Sequence, residues 1–206
     1  MYNILAIFGK SGAGKDTLLR QLSENKNFHA IVSYTTRPPR DYEKNNTDYH
    51  FVSKLDFAEM INKGEMLEYT NFNNWYYGTG KNDLMTSKIN VGVFNPDGII
   101  SLIRKQKEQP KEYNIFYCML AASDKNLLLR CLNREERPDC YEICRRFITD
   151  KEDFEKLLNT DAFNEATHNH NFAICISGND ENKFSDKIIE DLLVGIGEYF
   201  QWDFHI

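Results

Sequence analysis

The sequence predicts an α/β domain in which a parallel sheet is flanked by helices. Short apolar runs alternate with stretches of helical periodicity. The first apolar run stops at a glycine-rich turn that leads straight into a helix. The length, 206 residues, suits one domain with its own core.

Tyr2 to Phe8 reads as a first, buried strand, and the turn Gly9 to Gly14 feeds a helix carrying Leu18, Leu19 and Leu22. Phe28 to Val32 is expected as a second strand. The polar, proline-containing segment Thr35 to Thr47 is expected as a loop, and loops that long inside a compact domain tend to be functional. Ser53 and Asp56 can cap a helix through Asn62 that Gly64 stops. Glu65 to Tyr69 and Trp75 to Tyr77 are expected to pair around Asn73 and Asn74. Ile89 to Phe94 and Tyr113 to Leu120 repeat the buried-strand pattern, with a helix holding Ile99, Ile100 and Ile103 between them. A helix from Ser123 to about Arg134, a charged break from Glu135 to Asp139 and a helix towards Leu158 follow, and the break suggests a moving lid. Phe172 to Ile176 supplies a last strand, and Phe184, Ile188, Ile189, Leu192, Leu193 and Ile196 mark one face of a C-terminal helix.

Composition narrows the function. A formal charge of −6 argues against a general nucleic-acid binder, because the phosphate backbone selects for a basic face. No apolar run is long enough to span a bilayer, and no basic preface or cleavage site marks the N-terminus. Five scattered cysteines fit reduced thiols better than a disulfide framework, so the expected location is the cytoplasm. Cys140, Cys144, His168 and His170 have metal-ligand residue types, but their spacing matches no common zinc pattern. Seven of the nine arginines fall into two clusters, Arg37 with Arg40 and Arg130 through Arg146, a placement that focuses positive potential on a small polyanion.

Gly9, Gly14 and Lys15 form G-x-x-x-x-G-K between a buried strand and a helix, the context that gives this string its meaning. The glycines let backbone N–H groups turn inward around phosphates, the helix N-terminus adds its dipole, and Lys15 neutralises the β- and γ-phosphates. The fold expected is thus of the P-loop NTPase type. The loop Gly9, Ser11, Gly12, Ala13, Gly14, Lys15, Asp16 and Thr17 is expected to hold ATP. Where a hydroxyl usually follows the lysine and binds Mg²⁺, this chain has Asp16. Asp16 can reach the metal directly or through water, and Thr17 remains for an α-phosphate oxygen.

Ser33-Tyr34-Thr35-Thr36-Arg37-Pro38-Pro39-Arg40, then Asp48-Tyr49-His50-Phe51-Val52-Ser53, Gly64-Glu65-Met66-Leu67-Glu68 and Tyr76-Tyr77-Gly78-Thr79 resemble the motifs of guanylate kinases. The likeness continues to about Asn179. Two arginines three apart can hold a monophosphate through charge-assisted hydrogen bonds. The resemblance implies that Arg37, Arg40, Tyr49 and Tyr77 grip the 5′-phosphate of GMP or dGMP. It also implies that Glu68 accepts from the guanine N1–H and amine, and that Ser33 and Thr79 approach O6. Asn95 stands where the family usually has an acid, and Asp97 is near enough to substitute.

By the same resemblance the chain is one domain, with a core of residues 1–33, 82–130 and 160–206, an acceptor-binding insert at about 34–81 and a lid at about 131–159. Arg130, at the edge of the lid, and Arg134 and Arg146 match the donor-side arginines that meet the donor phosphates, with Arg145 replacing Arg146 in the other register, and Asn179 passes the adenine. Lys15, Arg37, Arg134 and Arg146, together with Mg²⁺, are expected to stabilise the transferred phosphoryl group. The implied partners are ATP and the acceptor nucleotide, with one or two copies of the chain in the assembly. Two rivals stand beside this reading: a same-fold kinase for another deoxynucleotide or ribose 1,5-bisphosphate, and a non-catalytic interaction module.

Overall fold

The computed structural model describes residues 1–39, 43–72, 74–134, 136–167, 171–176, 184–202 and 204. Strand β1 (Tyr2–Gly9) lies at the centre of a five-stranded sheet. It pairs in parallel with β7 (Ile89–Val93) on one side and β8 (Tyr113–Ala121) on the other. The edges are β2 (Phe28–Ala30) and β9 (Phe172–Ile176), giving the order β2-β7-β1-β8-β9 with every pairing parallel. Parallel strands need crossovers, and the helices that supply them cover both faces.

One face packs under α1 (Lys15–Ser23) and α7 (Asp186–Phe200), where Leu5, Ile7, Leu18, Leu22, Phe116 and Ile196 are buried together. The other carries α3 (Pro96–Glu108), α5 (Cys140–Leu158) and α6 (Asp161–Thr167), against Ile4, Ala6 and Phe8. Such two-faced burial explains why β1 reads as an unbroken apolar run. Short helix α6 is an element that the sequence reading did not expect.

The described residues between 34 and 80 form a second layer. Its four strands, β3 (Tyr34–Thr35), β4 (His50–Phe51), β5 (Met66–Phe72) and β6 (Trp75–Gly80), are ordered β4-β3-β6-β5. Helix α2 (Lys54–Asn62) starts at the expected Ser53–Asp56 capping box, and its buried Phe57 stacks on Tyr76 at 5.4 Å. Two expectations need correction. The second strand ends at Ala30, not Val32, although the Ile31 N–H still donates to Val91. The segment expected as loop from Thr35 begins as strand β3, because Tyr34 and Thr35 join the edge of β6.

Helix α4 (Asp124–Asn133) leads into the arginine-rich segment. After it, α5 runs unbroken from Cys140 to Leu158, most of the segment assigned to the lid, and its last turns belong to the core. Phe154 and Leu157 are buried there, with Phe154 stacked on Phe8 at 6.3 Å.

Candidate nucleotide-binding cleft

The turn after β1 has the conformation that its glycines allow. Gly12 and Gly14 have φ of 80° and 92°, a region L side chains avoid. A Cβ on Gly12 would also meet Leu127 O at 2.7 Å, so α4 packs directly on this turn. Arg130 on α4 donates to Gly12 O at 3.2 Å, which fixes the turn from outside. The Lys15 ammonium is folded inward, donating to Gly9 O at 2.8 Å and Lys10 O at 3.1 Å. Burial lowers its pKa, while the carboxylates Asp16 and Asp150 pull it back up.

From this turn a cavity of about 290 Å³ extends to the second layer. Gly9, Ser11 and Lys15 line one end. Ser33, Tyr49, Glu68, Tyr77 and Asn95 line the other, so residues far apart in sequence share one space. Thr70, Asp97, Asp150, Asp153 and Phe154 line it as well.

Glu68 is buried, and the strand register sets it opposite Thr79 beside a bulge between Met66 and Glu68. Bulges re-aim side chains next to functional sites. Desolvation raises the Glu68 carboxyl to about 7, even though Thr79 favours the ionised form. Thr79 Oγ1 is itself buried and short of hydrogen-bond geometry. A Cβ on Gly98 would lie 3.2 Å from Glu68 Oε2 and 3.1 Å from Asn95 Oδ1, so these two oxygens face the same small volume. Asn95 Oδ1 accepts from the Gly98 N–H at 2.8 Å as the N-cap of α3, an occupation that the sequence reading did not foresee. Asp97, one residue into the helix, accepts from Thr70 Oγ1 at 3.4 Å.

Arg37 faces Tyr49 and Phe51, with its guanidinium carbon 5.6 and 5.9 Å from their ring centres. It donates to Glu43 at 2.7 Å, and this bond raises its pKa. Glu43 was missed in the sequence, where one acid in a polar loop carries no signal. Tyr49 and Tyr77 meet edge to face at 6.2 Å, and burial raises the Tyr49 hydroxyl pKa.

The remaining expected residues stand outside the cavity lining. Asp16 is exposed, 3.7 Å from the equally exposed Arg134. Gly12, Ala13, Gly14 and Thr17 form the back of the turn and the start of α1. Arg145 and Arg146 both donate to Glu142, at 2.7 and 2.6 Å. Arg40 and Asn179 lie outside the described residues, as do His168 and His170. Among the described residues no group of three or more His, Cys, Asp or Glu is placed to hold a metal alone, and no helix is long and apolar enough to cross a membrane.

Comparison with known proteins fits this geometry. A family model described as guanylate kinase matches residues 1–90, the stretch that holds the phosphate turn and most of the second layer. The guanylate kinase of Clostridioides difficile is 34% identical over 164 residues, which cover 78% of each chain. Those of Lactobacillus acidophilus and Neisseria meningitidis serogroup B are 50% and 48% identical over shorter stretches, 78 and 79 residues, or 38% of each relative's length. The crystal structure of guanylate kinase from Anaplasma phagocytophilum superposes with a TM-score of 0.60 over 96% of this chain and 86% of that one, at 16% identity, and so attests the fold. The extent of the match to the Clostridioides difficile enzyme decides membership: the chain belongs to the guanylate kinase family and is a phosphotransferase of the guanylate kinase type.

Proposed function

We propose that the protein transfers the γ-phosphoryl group of ATP to GMP or dGMP, giving ADP and the nucleoside diphosphate, in the cytoplasm. The observation that carries this reading is the single cavity with Lys15 at one end and Glu68, Tyr49 and Tyr77 at the other. A buried carboxyl raised to about 7 is unfavourable in an empty pocket. The guanine N1–H and amine supply two adjacent donors on one rigid edge that offset its desolvation, whereas a base-free sugar phosphate supplies only ring hydroxyls, with no planar N–H edge to match a carboxylate. Glu68 therefore favours the guanine nucleotide over ribose 1,5-bisphosphate.

Each side chain takes a role that its position allows. Arg37, already oriented by Glu43, binds the acceptor phosphate with the Tyr49 and Tyr77 hydroxyls, and Arg40 joins it. Ser33 and Thr79 hold the base edge. The turn from Gly9 to Thr17 cradles the donor phosphates, and Lys15 leaves the loop carbonyls to reach them. Arg130 fixes the loop, and Arg134 and Arg146 neutralise the transferred group, Asn179 passing the adenine. No protein base is needed, since the attacking phosphate oxygen is already anionic; the protein contributes alignment and charge. A magnesium ion carried on ATP needs only one or two protein oxygens, which the exposed Asp16 offers directly or through water while Thr17 remains for an α-phosphate oxygen, and it would neutralise charge between the phosphates.

The test is ADP production with ATP, Mg²⁺ and a panel of mononucleotides plus ribose 1,5-bisphosphate. Turnover is expected on GMP or dGMP and should fall on the order of 10²-fold or more in Lys15→Ala. Turnover confined to another acceptor would overturn the substrate. Silence across the panel would favour the interaction module.

A further inference from the structure

The phosphate turn is not empty. The Ser11 backbone N–H donates to Asp150 Oδ2 at 2.5 Å, across 139 positions of sequence. Asp150 also acts on Lys15, raising its pKa against the effect of burial. A carboxylate thus sits on a loop N–H and beside the lysine ammonium, the two kinds of group that a nucleotide phosphate would use. Its position is built, not incidental. Phe154, one turn further along α5, is buried against Phe8, so the helix is anchored where it holds Asp150 over the turn. In the same arrangement Arg145 and Arg146 are both bound to Glu142, so α5 presents an anion to the loop while its arginines are engaged elsewhere.

We propose that Asp150 is an internal stand-in for a nucleotide phosphate: it holds α5 on the phosphate turn of the unliganded enzyme and must leave when ATP enters. The inference rests on the reading of this turn as the ATP seat. One N–H cannot donate at full strength to a carboxylate and a phosphate together, and two anions beside Lys15 repel. Entry of ATP and displacement of the Asp150 carboxylate are therefore a single event. The Asp150 contact lowers the apparent affinity for ATP by the fraction of molecules in which the seat is free.

The experiment is calorimetric titration of ATP, first without and then with Mg²⁺, into the wild type, Asp150→Asn, Asp150→Ala and Lys15→Ala. Amide hydrogen exchange is followed in the peptide containing Ser11. Removing the carboxylate should tighten Mg²⁺-free ATP binding about tenfold, the scale of one charge-assisted hydrogen bond lost from the competing state. The Ser11 amide should exchange faster in both Asp150 variants. A residue that merely supports the fold would show the opposite sign, with weaker binding on substitution. Asp150→Asn keeps the side-chain shape, so tighter binding by it does not depend on how well the alanine variant folds. Unchanged or weaker Mg²⁺-free binding overturns the inference, and so does a loss seen only with Mg²⁺, which would make Asp150 a metal ligand. If wild type and Lys15→Ala bind ATP alike, the turn is not the ATP seat and both readings fall. If binding needs Lys15 but ignores Asp150, only this one does.

Discussion

Glu68 carries opposing demands of stability and recognition. Its carboxyl is raised from 4.5 to about 7 by burial, so the fold favours the neutral form. Unfolding restores the ordinary pKa. The stabilisation is complete below about 4.5 and is lost as pH rises through about 7. The shift corresponds to something on the order of 3 kcal/mol. Glu68→Gln, neutral at every pH, should therefore melt several degrees above the wild type at pH 8 and close to it at pH 5, by calorimetry without ligand. The same variant should bind guanine nucleotide about tenfold or more weakly at pH 8, because an amide offers one acceptor where the carboxylate offers two. A variant that fails to gain stability at pH 8 would show that Glu68 is already paired in the free enzyme.

At the scale of elements, Asn95 links the start of α3 to the base end of the cleft. Its Oδ1 caps the helix through Gly98 and lies beside Glu68 Oε2. Asn95→Ala should cost about 1 kcal/mol, the value of an N-cap, read from denaturant unfolding. Asn95→Asp should leave stability within a few tenths of that reference, since Asp caps as well and suits the helix dipole. It should also push the Glu68 pKa above about 7, because two carboxylates facing one volume resist joint ionisation. The pH dependence of acceptor KM should shift upward accordingly, and an unmoved profile would separate the two oxygens.

Local determinants made some of these elements legible in the sequence. The turn after β1 depends on Gly12 and Gly14 at fixed positions, and the start of α2 depends on Ser53 and Asp56 three apart, so both can be read without knowing the fold. The cap of α3 had the same kind of signal in Asn95, but it was read for its place in the base pocket alone. Strand β3 has only two residues and exists because β6 offers its edge. Asp150 belongs to a solvated-looking run, Asp150-Lys151-Glu152-Asp153, and only the tertiary anchoring of Phe154 turns it towards the loop. Glu43 becomes meaningful only when the loop folds Arg37 back onto it.

For the whole molecule, the arrangement is one of two sheets meeting over a shared cleft, with α5 reaching from the core to the phosphate turn. The cleft is lined by groups from both layers. A ligand at 100 times its Kd stabilises the native state by about 2.7 kcal/mol, or roughly 5–10 °C for a chain of this size. If the two seats were independent, a non-hydrolysable ATP analogue and GMP would raise Tm by amounts that add. The displacement proposed for Asp150 would couple them, because Asp150 lines the same cavity as Tyr49, Glu68 and Tyr77. The donor meets the cost of that rearrangement, so an acceptor that binds after it enters a cavity from which the Asp150 carboxylate has already withdrawn. Thermal unfolding with both ligands should therefore exceed the sum of the single shifts by a few degrees, and the excess should shrink in Asp150→Asn, where less rearrangement is required. Strictly additive shifts in the wild type would mean that the two ends of the cleft do not communicate.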